Sequence, residues 1–302
     1  MNRGGWKRTY QKVGFLLLPA YFLVGRWFSP GDTIFLGMLP LTRRIISITG
    51  LLIASVLGGC RPSSEKTPNR LGNEHLQDLT YTLTPEFPYI QVHNLTFPFS
   101  MKPIATIPIN GVAANAWHIH EHLGTHIDAP NHFDPKGISV DEIPLKDLIV
   151  PVEVIDIRNK AEQNPDAELL VDDILEFESR HGLIPAHSCV MMLSGWGKWV
   201  KTPKYLGLDS LGVKHFPGFS TAAVDFLVQK RQIAGLGVDV ISFDPGRDSA
   251  YKGHRILLSH GKWAVENIAH LDKIPAIGAT LLVGAPKVEH ATGGIARIFA
   301  IW

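Results

Sequence analysis

From about residue 76 to the C-terminus, apolar positions recur with two different periods, and the switching between them predicts a succession of strands and helices. Leu79 to Leu83 alternates like a strand. Leu148 to Ile157 is a β-branched apolar run in which Pro151 predicts a sheet edge or a bend. Val171 to Arg180 places Ile174, Leu175 and Phe177 at helical spacing and stops at Gly182, a suitable C-terminal cap. Ser188 to Leu193 reads as a buried strand, Ser220 as the cap of a helix reaching Gln229, and Ile233 to Val238 as a short apolar strand. Ala279 to Val283 and Ile295 to Ile301 add two further strands, with no repeat or low-complexity segment between them. This alternation predicts one α/β domain with a mixed sheet.

Upstream the pattern changes character. From Met38, Arg43 and Arg44 precede an apolar run of about fifteen residues, and small residues lead into Cys60, which is the layout of a signal peptide. Its end, Leu57-Gly58-Gly59-Cys60, resembles the lipobox of bacterial lipoproteins, which implies Cys60 as a lipidated first residue. Residues 1–59 are therefore read as a leader with Met38 as its real start, exported by the general or the twin-arginine route. The earlier apolar stretch, Val13 to Val24, is broken by Pro19 and is shorter than the roughly 20 residues of a spanning helix. Residues 60–77, polar and rich in Pro, Ser and Asn, read as a flexible tether, and 78–302 as the catalytic domain. The expected location is the periplasmic or other extracytoplasmic face of a membrane, through a lipid anchor.

Composition narrows the chemistry. At 45% hydrophobic, a chain of 302 residues can bury one large core. Lysine plus arginine (29) nearly balances aspartate plus glutamate (28), which leaves no basic field for nucleic acid and no acidic tail for a cationic partner, so the expected small-molecule substrate must be identified from the site. Fourteen histidines fall in a few short clusters, while cysteine occurs only at Cys60 and Cys189. Two cysteines make neither a disulfide framework nor a sulfur-based zinc site, so any metal must use nitrogen and oxygen ligands.

The densest cluster runs from Trp117 to Phe133 and contains His122, His126, Asp128 and His132. Gly124 and Pro130 argue against a helix here and for a strand entering a tight loop. Two imidazoles and a carboxylate suit zinc, manganese or iron and leave positions open for water and substrate. The zincin pattern H-E-x-x-H is excluded because Gly124 stands where its second histidine would be. His118 and His120 alternate with His122 and read as polar lining. Ser194 lacks a nucleophile elbow, and Cys189 lies in an apolar strand that disfavours a thiolate. Trp117, Phe87, Trp196 and Phe216 are candidates for an aromatic pocket, with core packing the commoner role for such residues. Asp239 and Asp244 follow a strand and are placed to orient ligands, but loop aspartates commonly satisfy turn backbones, and both are left outside the candidate site. On composition alone His254 reads as a surface or capping histidine.

The run His122-x-Gly124-Thr125-His126-x-Asp128-Ala129-Pro130-x-His132-Phe133 resembles the signature of the cyclase family of metal-dependent hydrolases, which includes bacterial kynurenine formamidases and isatin hydrolases. The resemblance continues through Ser194-Gly195-Trp196, Pro217-Gly218, Gly237-Val238-Asp239-x-x-Ser242-x-Asp244, His254 to Glu266, and Gly284-Ala285-Pro286. It implies a swivelling β/β/α-type fold and a homodimer or larger assembly. It further implies that His122, His126 and Asp128 bind a first metal, that His254 and Glu266 complete the site or hold a second metal bridged by Asp128, and that His132 is the general acid/base. The cofactor expected is zinc or manganese, one or two ions per subunit. The leading expectation for the reaction is arylformamidase activity, with hydrolysis of a cyclic amide or lactone as in isatin next. A metal-dependent lyase or dehydratase, and a lipid-anchored binding protein without turnover, are the remaining alternatives; an intact His132 argues against the last.

Overall fold

The computed structural model describes residues 75–302; the leader, Met38, Cys60 and most of the tether lie outside the described residues. The strands, in chain order, are β1 (Leu76–Asp78), β2 (Ser100–Ala105), β3 (Ala114–His118), β4 (His126–Asp128), β5 (Ile149–Asp156), β6 (Glu168–Leu169), β7 (Cys189–Leu193), β8 (Gly218–Phe219), β9 (Gly235–Val238), β10 (Trp263–Glu266), β11 (Ala279–Gly284), β12 (Gly293–Ile295) and β13 (Arg297–Ile301). The helices are α1 (Ile107–Asn110), α2 (Arg158–Gln163), α3 (Val171–His181), α4 (Thr221–Phe226) and α5 (Lys252–Ser259).

Nine strands form one mixed sheet in the order β1-β13-β11-β5-β7-β9-β10-β4-β12. Its middle, β5-β7-β9-β10, is parallel, and its flanks are antiparallel. Strands β12 and β13 lie near opposite ends of this order yet are separated in the chain by Ala296 alone. The sheet therefore curls until its two ends nearly meet, which gives the single mixed α/β domain expected.

Alternate residues of the parallel strands enter different cores, as the two-residue period of a strand requires. Met191 packs with Ile127, Val152 and Val265 inside the curl, whereas Val190 and Met192 pack under Phe177, Val224 and Leu257 of α3, α4 and α5. Gly235 faces Trp263 so closely that a Cβ would lie 2.4 Å from the indole ring, so only glycine lets β9 and β10 pack around that tryptophan.

Several expected elements stand where the hydrophobic pattern put them. Helix α3 ends at Gly182 with φ of 92°, and Ser220 caps α4 by accepting the Ala223 N–H through Oγ. Others are shifted, for identifiable reasons. The first strand comes earlier than Leu79–Leu83 and takes in Leu76 and Gln77, assigned above to the tether. Beyond it, side chains take over the backbone pairing: the Ile298 N–H donates to Thr80 Oγ1, and the Tyr81 N–H to Thr125 Oγ1. Strand β5 is interior rather than an edge; Pro151 faces Thr280 of β11, but the ladder with β7 starts only at Val152, so its missing N–H has no β7 partner to serve. The segment 295–301 is two strands, because Ala296 donates to Thr125 O while the chain crosses between sheet ends.

Candidate metal centre

Two strands, one helix, one 3-10 turn and the loop before β4 set the site. β4 carries His126 and Asp128 on one face, two residues apart, while Ile127 between them points into the core. The antiparallel register with β10 places Glu266 directly opposite His126. Helix α5 contributes His254 from its first turn, and the 3-10 turn Pro130–His132 folds His132 back toward His122. The structure thus brings together all six residues that the sequence singled out, His122, His126, Asp128, His132, His254 and Glu266, around one cavity of about 620 Å³.

Asp128 is the hub. Its Oδ1 lies 2.6 Å from His122 Nδ1 and 3.3 Å from His126 Nε2, and its Oδ2 3.4 Å from His254 Nε2. Glu266 closes the inner side, with Oε2 3.6 Å from His126 Nε2 and Oε1 3.4 Å from His254 Nε2. Ligand-type atoms of His126, Asp128 and Glu266 form one group, and those of His122, Asp128 and His132 a second, each within 4.8 Å of one another. Among the described residues no other cluster of this kind occurs.

The groups just outside fix how the rings face. His126 donates from Nδ1 to Gly124 O at 2.9 Å, and His254 from Nδ1 to Asp244 Oδ2 at 2.6 Å, so both turn Nε2 inward. Glu266 is held by the Phe243 N–H at 2.9 Å. Asp244 was left aside in the sequence as a turn aspartate; it is instead the acceptor that orients His254, and the quoted run Gly237 to Asp244 was the available signal.

His126, Asp128, His254 and Glu266 are each under 5% exposed, so their charges are desolvated and must be answered locally. Burial opposes a charged His126 ring, yet the hydrogen bond and charge of Asp128, with Glu266, push it up to about 9. His254 is likewise raised well above the ordinary histidine value, against burial, by Asp128, Asp244 and Glu266. Asp128 is held well below the usual carboxylate range, against burial, by His122 and His126. The carboxylates therefore demand positive charge in the space between the rings. A divalent cation fits that demand and this mixed imidazole and carboxylate donor set.

His132 differs. It stacks on His122 with ring centroids 3.8 Å apart, and burial, reinforced by the neighbouring imidazoles against the pull of Asp128, brings it down to about 4. It stands neutral at the cavity wall, able to accept a proton.

The cavity is otherwise apolar and aromatic, lined by Tyr89, Phe97, Phe133, Ile241 and Tyr251, with His120 beside them. These are not the aromatics proposed from the sequence. Trp196 and Phe216 are buried core, Phe87 packs in a separate cluster with Phe99 and Leu123, and Trp117 is 62% exposed on β3. His118 stacks on Phe97 at 4.1 Å. Ser194 is bonded to Asp239, and burial pushes the Cys189 thiol far above its usual range, so neither acts at the cavity.

Comparison with known proteins agrees with this geometry. The family model Cyclase, described as "Putative cyclase", matches residues 77–245. An isatin hydrolase of Roseibium aggregatum is 30% identical over 249 residues, which is 76% of this chain and 92% of that protein. A kynurenine formamidase of Bacillus cereus is 31% identical over 165 residues, 55% of this chain and 68% of that protein. Among solved structures, isatin hydrolase A from Labrenzia aggregata bound to benzyl benzoate superimposes with a TM-score of 0.71 at 35% identity, covering 75% of this chain and 93% of that one.

Proposed function

The chain belongs to the cyclase family of metal-dependent hydrolases, and from that premise we propose that the cluster around Asp128 hydrolyses the amide bond of an aromatic cyclic substrate of the isatin type. The observation that carries the reading is the convergence of four imidazoles, of His122, His126, His132 and His254, and two carboxylates, inner members desolvated, on one aromatic-walled cavity. A divalent cation, zinc or manganese, would be held by His126, Asp128, His254 and Glu266, with His122 beside Asp128 as a further ligand. When bound, it supplies Lewis acidity that lowers the pKa of water and polarises an amide carbonyl.

The chain's own residues perform the rest. Tyr89 and Phe97 offer ring faces and edges to a planar aryl group, leaving its carbonyl toward the histidines. His132, neutral and beside His122, takes the proton of the attacking water and returns it to the departing nitrogen.

Arylformamidase activity led the expectations from sequence. The isatin hydrolase relative is matched over nearly its whole length and the kynurenine formamidase over two thirds, which supports placing the cyclic aryl amide first and N-formylkynurenine second. A lyase reading predicts substrate loss without solvent oxygen in the product, so turnover in ¹⁸O-labelled water separates it from hydrolysis: one labelled oxygen per product supports the proposal, and none sinks it.

Two further proposals concern context. Met101, Ile104, Ile107, Ile109, Val112 and Trp117 of the β2–β3 arm are each more than half exposed, an unusual apolar surface for a monomer, and a second copy of the chain is its proposed cover. Sedimentation of the purified protein as a monomer at micromolar concentration contradicts that. Lipidation at Cys60 and export remain the proposal for residues 1–60, read by mass spectrometry of the mature N-terminus; an unmodified Cys60 overturns it.

A further inference from the structure

His126 and His254 both spend Nδ1 outside the cluster and turn Nε2 inward, but His122 is reversed. Its Nδ1 faces Asp128 Oδ1 at 2.6 Å, and its Nε2 faces Thr292 Oγ1 at 2.9 Å. The Thr292 hydroxyl proton is already committed, because Oγ1 donates to Glu121 Oε2, which also accepts the Thr292 N–H at 3.0 Å. A hydroxyl has one proton and two lone pairs. With its proton directed at the carboxylate, Thr292 Oγ1 can only accept from His122, so Nε2 carries the hydrogen and Nδ1 presents its lone pair toward Asp128.

We infer that Glu121 and Thr292 form a positioning relay, carboxylate to hydroxyl to imidazole, that fixes the tautomer of His122 and makes it a metal ligand through Nδ1. The inference rests on the metal reading above. A second observation holds the ring in this orientation. A Cβ on Gly293 would lie 2.8 Å from His122 Cε1 and 2.3 Å from Ile127 O, so the residue after Thr292 must be glycine for the ring edge to occupy this space. The Nδ1 lone pair and the Asp128 carboxylate then stand as two acceptors face to face, an arrangement that attracts only when a cation or proton is shared between them. The parts come from distant places in the chain: Glu121 precedes His122 directly, whereas Thr292 lies 170 residues further on, just before β12. Outer groups of this kind raise ligand basicity and set ring orientation, and losing one typically weakens metal binding about 10–100-fold.

The test compares Thr292→Val, which keeps the shape and removes the hydroxyl, with Thr292→Ser, which restores it, and Glu121→Gln, which weakens the acceptor. Zinc affinity and stoichiometry are read by titration against a chelator, and the His122 tautomer by ¹⁵N shifts of its ring in the zinc-loaded protein. The relay predicts an Nδ1-bound His122 in the wild type, a loss of about tenfold or more in zinc affinity for Thr292→Val, a smaller loss for Glu121→Gln, and recovery to within about threefold for Thr292→Ser. An Nε2-bound His122 in the wild type overturns it, as does a Thr292→Val protein that is folded by circular dichroism and binds zinc as the wild type does. A wild type that binds no zinc overturns the metal reading itself, which is a distinct outcome from zinc binding that is indifferent to Thr292.

Discussion

Asp244→Asn changes one atom at a position that touches no substrate, and its effect follows from counting donors. Asp244 accepts from His254 Nδ1 at 2.6 Å, from the Gly253 N–H at 2.7 Å and from the His254 N–H at 3.2 Å, the last two belonging to the first turn of α5. Asparagine offers one acceptor oxygen and one NH₂ group to those three donors. If its oxygen stays with the imidazole and the His254 N–H, which share Oδ2, the NH₂ group opposes the Gly253 N–H, at a cost of about 1 kcal/mol in stability. If it turns toward the helix, the His254 ring meets a donor and must give up the orientation that points Nε2 inward. Loss of such an outer partner weakens metal binding about 10–100-fold, or roughly 1.4–2.7 kcal/mol. Zinc titration against a competing chelator measures the first quantity, and thermal unfolding of the metal-free protein the second. Zinc affinity within twofold of wild type, together with an unchanged melting temperature, would refute the reasoning.

Three other outcomes follow from the same geometry. His132→Asn should retain zinc on the Glu266 side yet lower kcat by about 10²–10⁴, the usual weight of a general acid/base, and steady-state kinetics on metal-loaded protein would show it. Burial pushes Glu153 up to about 7, above the ordinary value of 4.5, so the folded state holds this proton more tightly than the unfolded state does. Its contribution is favourable at low pH and declines as pH rises from about 4.5 through 7; Glu153→Gln should remove that slope and add about 1–2 kcal/mol at pH 8, the full shift being discounted for nearby solvent. A melting curve whose pH dependence is the same in both proteins counts against this. Arg231→Met strips Glu178 of its bidentate partner, Nε to Oε1 at 2.5 Å and Nη2 to Oε2 at 2.7 Å, and should cost about 1–3 kcal/mol in urea unfolding; no loss would mean the pair contributes nothing.

What could be read in the chain beforehand was what is local. His122, His126, Asp128 and His132 lie within eleven consecutive residues, and the turn residues Gly124 and Pro130 showed that they sit on a strand and loop rather than on a helix. The opposition of Glu266 to His126 depends on the register of two strands far apart in sequence, which periodicity cannot supply. Asp244 was set aside and Thr292 missed for a related reason: a loop aspartate or threonine looks the same whether it closes a turn or orients a ligand. The aromatic wall could not be picked out because Trp196 and Phe216, which take the commoner core role, are as apolar as Tyr89 and Phe97, and only the fold decides which of them face the cavity. Pro151 misled in the opposite direction, since a proline is acceptable inside a sheet where the neighbouring strand has not yet begun.

Metal-dependent amide hydrolysis at Asp128 is tested most directly by turnover of isatin, with N-formylkynurenine in parallel, by the purified protein stripped of metal and then reloaded with zinc or manganese, against Asp128→Ala. Ring opening of isatin should disappear with the metal, return on reloading and be absent from the variant. Undiminished turnover by Asp128→Ala, or none on either substrate by a wild type that holds its metal, would contradict it.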